Sequence, residues 1–430
     1  MTMATRALSH AARTATSRAG TRGFSVLTAT EEFPGLPSTS PAPKKGSASS
    51  VTTLPSGLTI VTEDASLVST LSLTYPNAGS SNEGPSEAGA AIANRYLSFK
   101  SGSGLSSALI LRSLEDVGAS VWSSAGRRGM TVGFTAAREN AAFVAPLLVT
   151  ECSFEKWDVK EAQDLAGVEA GEATSNAQVA LTDQIYAAAY GGQSAIGRSY
   201  YTPGANRSSI MSFRERAYTL NGAVLAATGI ADHEAFVRMV DVEFPAPAPG
   251  TEAAAPLVSE YLGGEARLSA PSTGYAHVAL AFQGPTSIPV TNVLKHCLSL
   301  SGASAYASSG IIGVYGGSAP GDALATVDAL STSVGAAPSA DIVEKAKAAA
   351  KAEALMALDG GSKSLADAMT ASVLHSCGFS ATALAESYDS VSADDVSKAY
   401  AAMLKSKVSL AAVGDISDVP YHATIASRFN

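Results

Sequence analysis

A proline-rich segment near the middle of the chain separates two halves that have the same order of predicted elements. The segment runs from Pro245 to Pro256, and its alternating prolines favour an extended spacer. On each side of it, strands and a helix are followed by further strands, long helices and an apolar strand that ends in glycine, Gly229 or Gly414. We therefore predict an α+β fold of two homologous domains, each an antiparallel β-sheet backed by helices.

The length of the chain agrees with this division. At 430 residues it exceeds one ordinary hydrophobic core, so two domains of roughly 200 residues are expected. We predict domains at residues 51–244 and 261–430, joined by a linker at 245–260. An extended arm rich in proline, serine and lysine is predicted at residues 25–50.

Five helical segments are predicted in the first domain, two of them at residues 104–117 and 232–244. One begins near Ser86, whose side chain is suited to cap it. Another covers residues 138–151, and a third runs without interruption over residues 154–189.

Composition excludes several classes of function. The net charge of −9 and the pI near 5.2 argue against nucleic acid as a ligand, because phosphate binding needs a clustered basic surface. No run of 18 or more residues is continuously apolar and uncharged, so a membrane link is expected only through partner chains. The cysteines have no Cys-x-x-Cys spacing and are predicted to be small buried hydrophobic residues; they are Cys152, Cys297 and Cys377.

The first 24 residues have the composition of a mitochondrial transit peptide. They are rich in alanine, serine and threonine and contain four arginines, and no acidic residue precedes Glu31. We predict cleavage between Phe24 and Ser25, which would change the net charge from −9 to −13. A disordered tail and a chloroplast address are the alternatives that this composition leaves open.

The segment GAAIANRYLSFKSG, residues 89–102, lies between an upstream Ala-Gly-Ser, residues 78–80, and its own Phe-Lys-Ser-Gly end. We call residues 78–102, the segment together with its flanks, the frame. In a chain of two similar halves, this frame resembles the corresponding part of the pitrilysin-type zinc peptidases and their mitochondrial relatives. Active members of that family carry His-x-x-Glu-His on a helix between such flanks. The resemblance places the two metal-binding histidines at Ile92 and Tyr96, and the catalytic glutamate at Arg95.

None of these three residues can do the family's chemistry. Zinc needs nitrogen, sulfur or carboxylate ligands, whereas isoleucine has no lone pair and arginine would repel the ion. No histidine occurs between residues 11 and 232, so a shifted register does not restore the motif. We therefore predict no catalytic residues, no metal, no cofactor and no enzymatic activity.

Two acidic residues of the family pattern are retained. The resemblance places the family's acidic pair, one of which is the third metal ligand, at Glu169 and Glu172, and it does not decide between them. Without the other ligands, we expect these carboxylates to form a solvated or inter-subunit face.

Among inactive relatives, the chain resembles the core 2 subunits of the cytochrome b-c1 complex, respiratory complex III, over about residues 51–425. The segments that carry this likeness are LEDVGA (114–119), TAAREN (135–140), FEKWDV (154–159), AAAY (187–190), SAYASSGIIGVY (304–315) and GD (321–322). The resemblance implies a structural subunit on the matrix side of the mitochondrial inner membrane. Its implied partners are a core 1 or processing-peptidase β-type chain, cytochrome b and cytochrome c1, within a dimeric complex.

Two alternatives stay open. The zinc-free α subunit of the mitochondrial processing peptidase has a glycine-rich loop that handles presequences, and no run of three glycines occurs in this chain. An active zinc endopeptidase is disfavoured by the missing histidines, although a zinc-bearing partner could still supply catalysis.

Overall fold

The computed structural model describes residues 49–102, 105–149, 154–244, 259–270, 274–375 and 380–429, all within the unit Pro43–Asn430. Several predicted segments lie outside the described residues. They are the transit peptide, the processing site at Phe24 and Ser25, nearly all of the arm and most of the linker.

The first sheet has six strands, all from the first half of the chain. Their spatial order is β1 (Ser50–Thr53), β2 (Thr59–Thr62), β6 (Val224–Ala227), β3 (Ser69–Tyr75), β5 (Met130–Ala136) and β4 (Ser120–Ala125). Strands β2 and β6 are parallel, and the other neighbours are antiparallel.

The second sheet repeats this order with five strands. They are β7 (Gly264–Ser269), β11 (Ser409–Gly414), β8 (Ala276–Gln283), β10 (Ile311–Ser318) and β9 (Ser304–Ser308). Again one pair, β7 and β11, is parallel and the rest are antiparallel. The predicted α+β fold with two copies of one unit is confirmed, and each otherwise antiparallel sheet contains one parallel pair.

Helices cover the sheets. In the first half they are α1 (Ala90–Tyr96), α2 (Ser107–Asp116), α3 (Ala141–Val144), α4 (Lys156–Ser175), α5 (Ala177–Tyr190), α6 (Arg207–Ala217) and α7 (His233–Glu243). In the second half they are α8 (Ile288–Leu300), α9 (Ala323–Gly335), α10 (Ala340–Leu358), α11 (Ser362–His375), α12 (Ala381–Asp389), α13 (Ala393–Lys405) and α14 (His422–Ala426).

Each sheet packs one face against helices of its own half. Alternate residues of β3, Leu71 and Leu73, lie in the first core, where Phe134 and Phe213 are fully buried. In the second half, the corresponding core contains Leu280, Phe282, Val293, Val327 and Val396.

The opposite face of each sheet is covered by a helix from the other half. Helix α5 of the first half packs on β7, β8 and β11, where Ile185 and Ala189 contact Ala279 and Val413 in one buried cluster. Helix α11 of the second half packs on β2, β3 and β6 of the first sheet. The two halves are thus joined by a reciprocal exchange of helices.

The contacts of α11 are both apolar and polar. Ala366 and Met369 are fully buried against Val61 and Ala226 of the first sheet. At the start of the same helix, the hydroxyls of Ser362 and Thr70 are 2.7 Å apart.

Three predicted helices differ in detail. The helix expected from Ser86 begins at Ala90. Of the segment predicted at 138–151, the described residues 138–149 form a short α-helix between two 3₁₀ turns. The segment 154–189 is two helices that break at Asn176, whose Oδ1 accepts the backbone N–H groups of Gln178 and Val179 at 3.0 and 3.3 Å. Asn176 is the N-cap of α5, and its extended backbone cannot continue α4.

No helix among the described residues has the length and apolar character needed to cross a membrane.

Candidate functional site

Helix α1 carries the positions of the altered motif, and its start is fixed by a glycine and a buried carboxylate. Gly89 has φ 83°, and a Cβ there would lie 2.3 Å from the carbonyl oxygen of Thr202. The carboxylate of Glu83 accepts the N–H of Gly89 at 3.0 Å and that of Ala91 at 2.7 Å. These contacts explain why the helix begins after Gly89 and why Ser86 does not cap it.

Glu83 has an unusual environment for a carboxylate. It is 1% exposed, and this burial raises its pKa from 4.5 to about 7, against the lowering effects of the two N–H groups and of Arg198. The Arg198 guanidinium donates to the backbone carbonyls of Glu83 and Gly84, each at 3.3 Å. The frame around the motif therefore contains a group that titrates near neutral pH.

At the first expected ligand position, Ile92 is fully buried. It packs against Ala166 of α4 and against Tyr200, with Tyr96 and Tyr201 at the edge of the same cluster. Apolar side chains therefore fill this position of the frame.

Arg95 and Tyr96 both bind Glu169. Arg95 donates from Nη1 and Nη2 to the two carboxylate oxygens, at 3.0 and 2.5 Å, and the Tyr96 hydroxyl donates to Oε2 at 3.0 Å. The Arg95 guanidinium also lies over the Tyr96 ring, 4.5 Å from its centroid. Burial and the contact with Glu169 raise the pKa of Tyr96, so its phenol stays protonated.

The structure separates the two retained glutamates. Glu169 faces α1 and is held by Arg95 and Tyr96, whereas Glu172 is exposed. Glu172 lines a shallow depression together with Val168, Gly171, Ser175 and Asn176. Only Glu169 is positioned like a ligand that faces the motif helix.

The residue set does not fit zinc. Isoleucine offers no donor, the Tyr96 oxygen is engaged as a hydrogen-bond donor, and a guanidinium already neutralises Glu169. Across the part of the chain that the structure describes, no three His, Cys, Asp or Glu side chains are grouped to hold a metal ion.

The Phe-Lys-Ser-Gly end of the frame is tied to α4. Lys100 pairs with Glu161 at 2.8 Å, and the hydroxyls of Ser101 and Ser107 donate to Asp158, the latter at 2.7 Å. Burial alone would raise the pKa of Asp158, but these hydroxyls hold it below its usual value. The flank thus fixes the motif helix against the helix that carries Glu169.

An equivalent contact in the second half was not predicted from the sequence. Adjacent residues of α8, Lys295 and His296, bind one glutamate of α10, Glu353, at 2.8 and 2.7 Å. In both halves, therefore, a cation and a ring at consecutive positions hold a glutamate on the next long helix. The internal repeat in the sequence could have predicted this contact, because the second half repeats the order of elements of the first.

Comparison with known proteins agrees with the fold and the frame. Residues 59–204 match the family described as "Insulinase (Peptidase family M16)". A relative from Arabidopsis thaliana, named "Probable mitochondrial-processing peptidase subunit alpha-2, chloroplastic/mitochondrial", is 24% identical over 88% of this chain and 85% of its own length. A mitochondrial-processing peptidase subunit beta of Lentinula edodes is also 24% identical, over 91% of this chain and 95% of its own length.

Among solved structures, a chain of "Complex III2 from Candida albicans, Inz-5 bound" has the same fold. It superimposes with a TM-score of 0.72 at 17% identity, covering 88% of this chain and 99% of that chain. The frame of α1 and its flanks lies inside residues 59–204, the part of the chain that is similar to this family.

Proposed function

We propose that this chain is a non-catalytic core 2 subunit of mitochondrial respiratory complex III and that it supports the assembly and stability of the complex. The observation that carries the proposal is the Arg95–Glu169 pair, which replaces the metal site in a chain with the fold of a complex III chain. A subunit that has lost the ligands but kept the frame is suited to a structural role.

The proposed partners and location follow from the same reading. They are a core 1 or processing-peptidase β-type chain, cytochrome b and cytochrome c1, on the matrix side of the inner membrane. The β-type relative and the complex III neighbour support this assignment, and the name of the β-type relative, a mitochondrial-processing peptidase subunit, supports the organelle.

The processing site and the domain boundaries belong to this proposal. We propose that cleavage after Phe24 leaves Ser25 as the first residue, and that residues 51–244 and 261–430 are the two repeated domains. N-terminal sequencing of the chain from mitochondria tests the first point, and a mature chain beginning far from Ser25 would contradict it.

Native electrophoresis tests the main proposal. Tagged chain from mitochondria solubilised in a mild detergent should migrate with cytochromes b and c1, seen by haem staining. A tagged matrix protein is the control for non-specific comigration and should be absent from the complex III band. Migration of the chain with a presequence-processing activity that lacks both cytochromes would overturn the proposal.

Migration with a presequence-processing activity would instead support the alternative function. A zinc-free α-type subunit of the mitochondrial processing peptidase is favoured by the α-2 relative, which matches 88% of this chain. In that case the chain would help to bind presequences, and depleting it would stop processing before it affected ubiquinol oxidation.

A further inference from the structure

Two polar atoms on the face of the first sheet that α11 covers are buried and have no hydrogen-bond partner among the described residues. They are the hydroxyl of Ser72 in β3 and the indole N–H of Trp122 in β4. The whole Ser72 residue is buried, with 0% exposure. Because folding removes both groups from water, leaving them unpaired destabilises the protein. A polar ligand between them would remove this cost.

The two residues lie in one row across the sheet. Ser72 is opposite Gly133 of β5, and Gly133 is opposite Trp122. A Cβ on Gly133 would lie 2.7 Å from Cε2 of the indole, so the ring of Trp122 lies over the glycine and extends towards β3. The Lys363 ammonium of α11 packs on the same ring, 4.0 Å from its centroid. These two contacts fix the indole, and its N–H, in the row of Ser72.

The spacing within this row suits one small molecule. Neighbouring strands lie about 4.8 Å apart, so the Cα atoms of Ser72 and Trp122, two strands apart, are separated by about 10 Å. The indole spans part of this distance across Gly133, but the two side chains make no direct hydrogen bond. A bridging water, with two hydrogen bonds of about 2.9 Å each, can span what is left.

The rows on both sides of Ser72 are hydroxyl pairs. The oxygens of Thr70 and Thr135 are 2.9 Å apart, and those of Thr74 and Thr131 are 3.0 Å apart. A hydroxyl has one donor and two acceptor positions, so Thr74 can make a further bond besides that to Thr131. Buried waters occupy polar places of this kind and make about three hydrogen bonds, whereas an apolar ligand would leave the two buried groups unpaired.

The second half has a similar row in which a hydroxyl of the chain itself supplies the missing bond. There Gly313 of β10 is opposite Ala281 of β8, and Ala281 is opposite Ser409 of β11. The hydroxyl of Tyr261, which precedes β7, lies 2.8 Å from that of Ser409. A serine on this face of the second sheet is thus satisfied by an oxygen from outside the sheet. Ser72 has no such partner among the described residues.

We propose that one ordered water molecule binds between Ser72 and Trp122. The water accepts the indole N–H, bonds to the Ser72 hydroxyl and has Thr74 as its third partner. It takes the role that the Tyr261 hydroxyl has in the second half. Because it joins β3 to β4 on the face that α11 covers, it belongs to the joint between the two halves.

A crystal structure of the full chain, at a resolution that shows ordered water, tests the site directly. Density for one water within about 3.2 Å of both Ser72 Oγ and Trp122 Nε1 is expected. A direct hydrogen bond between the two side chains, or no density between them, would overturn the proposal. Density for a larger group or an ion would equally contradict the assignment to water.

A double-mutant cycle is the second test, in solution. S72A and W122F each remove one contact of the water, so their effects should not add. We expect a coupling of at least about fivefold in the unfolding equilibrium constant. The matched control is S80A with W122F, because Ser80 is also a buried serine without a partner among the described residues but lies outside the row.

For this control pair the coupling should be less than about twofold. Additive effects of S72A and W122F, or a coupling no larger than that of the control, would show that the two side chains do not share a water.

Discussion

Arg95 and Glu169 join α1 to α4 at positions where the family resemblance places the catalytic glutamate and a possible third metal ligand. A carboxylate that faces the motif helix needs a positive partner, and the guanidinium supplies it with two hydrogen bonds. The sequence located Ile92, Arg95 and Tyr96, but it did not choose between Glu169 and Glu172. Both glutamates lie on one helix within a turn, and only the packing of α1 on α4 decides which one is covered.

A double-mutant cycle measures this contact. Because both side chains are about one-fifth exposed, we expect R95M and E169Q to show a coupling of about 1 kcal/mol in urea unfolding. The control pair is K160M and D164N on the exposed face of α4, for which less than about 0.5 kcal/mol is expected. A coupling no larger than that of the control would show that the Arg95–Glu169 pair contributes nothing to stability.

Restoring the family motif tests whether the frame is intact. The triple variant I92H/R95E/Y96H should bind one zinc ion per chain, measured by metal analysis after gel filtration, whereas the unchanged protein should bind none. Adding E169Q should weaken binding at least about tenfold, because it removes the remaining ligand. Adding E172Q is the matched control and should have little effect; equal losses from both would contradict the assignment of Glu169.

Glu83 gives a pH dependence of defined sign. The pKa of Glu83 rises to about 7 on folding, so between pH 4.5 and 7 the folded chain holds this proton more tightly than the unfolded chain. Its contribution is fully present below pH 4.5 and is lost as the pH rises through 7. The free energy of unfolding of the native protein, relative to E83Q, should therefore fall by at most about 1.4 kcal/mol per pH unit across this range.

The measurement is urea unfolding of both proteins at several pH values. As a control, E161Q removes the same charge at a half-exposed position. Its free energy of unfolding should change with pH in the same way as that of the unchanged protein. A difference between E83Q and the native chain that stays constant with pH would show that Glu83 does not titrate in this range.

At the scale of elements, the sequence predicted most strands because period-two alternation and terminal glycines mark them. It missed β7 and β9. In β7 small or apolar residues alternate with polar ones, but Leu268 is its one large apolar residue, and the strand forms through pairing with β11. β9 forms through pairing with β10. It also missed the break at Asn176, since the surrounding alanines favour an uninterrupted helix. The late start of α1 depends on the contacts of Gly89 and Glu83, which are not local in sequence.

The break between α4 and α5 leads to a prediction about capping. N176A removes the acceptor for two backbone N–H groups and should cost about 1 kcal/mol of stability. N176D keeps the acceptor and should remain within a few tenths of a kcal/mol of the native protein in thermal or urea unfolding. If N176A instead raised both helicity and stability, the side chain would not be what separates the two helices.

At the scale of the whole molecule, the exchange of helices makes the two halves one structural unit. The repeat was visible in the sequence, but the exchange was not, because α5 and α11 lie within their own halves in chain order and cover the opposite sheets only after folding. Two apolar clusters are shared between the halves, one containing Ile185 and Val413 and the other containing Met369 and Val61. Each half alone would expose its own part of both clusters.

Separating the halves tests this dependence. Residues 49–244 and 259–430, produced alone, should lack a cooperative thermal transition and should bind a hydrophobic dye, because each lacks the helix that covers its sheet. Mixed during refolding, the two pieces should associate and regain one transition. The matched control is the full chain cut by a protease at a site inserted in the linker, which should stay folded since all contacts are kept. Independent cooperative unfolding of either piece would show that the exchanged helices are dispensable and that each repeat is a domain in the thermodynamic sense.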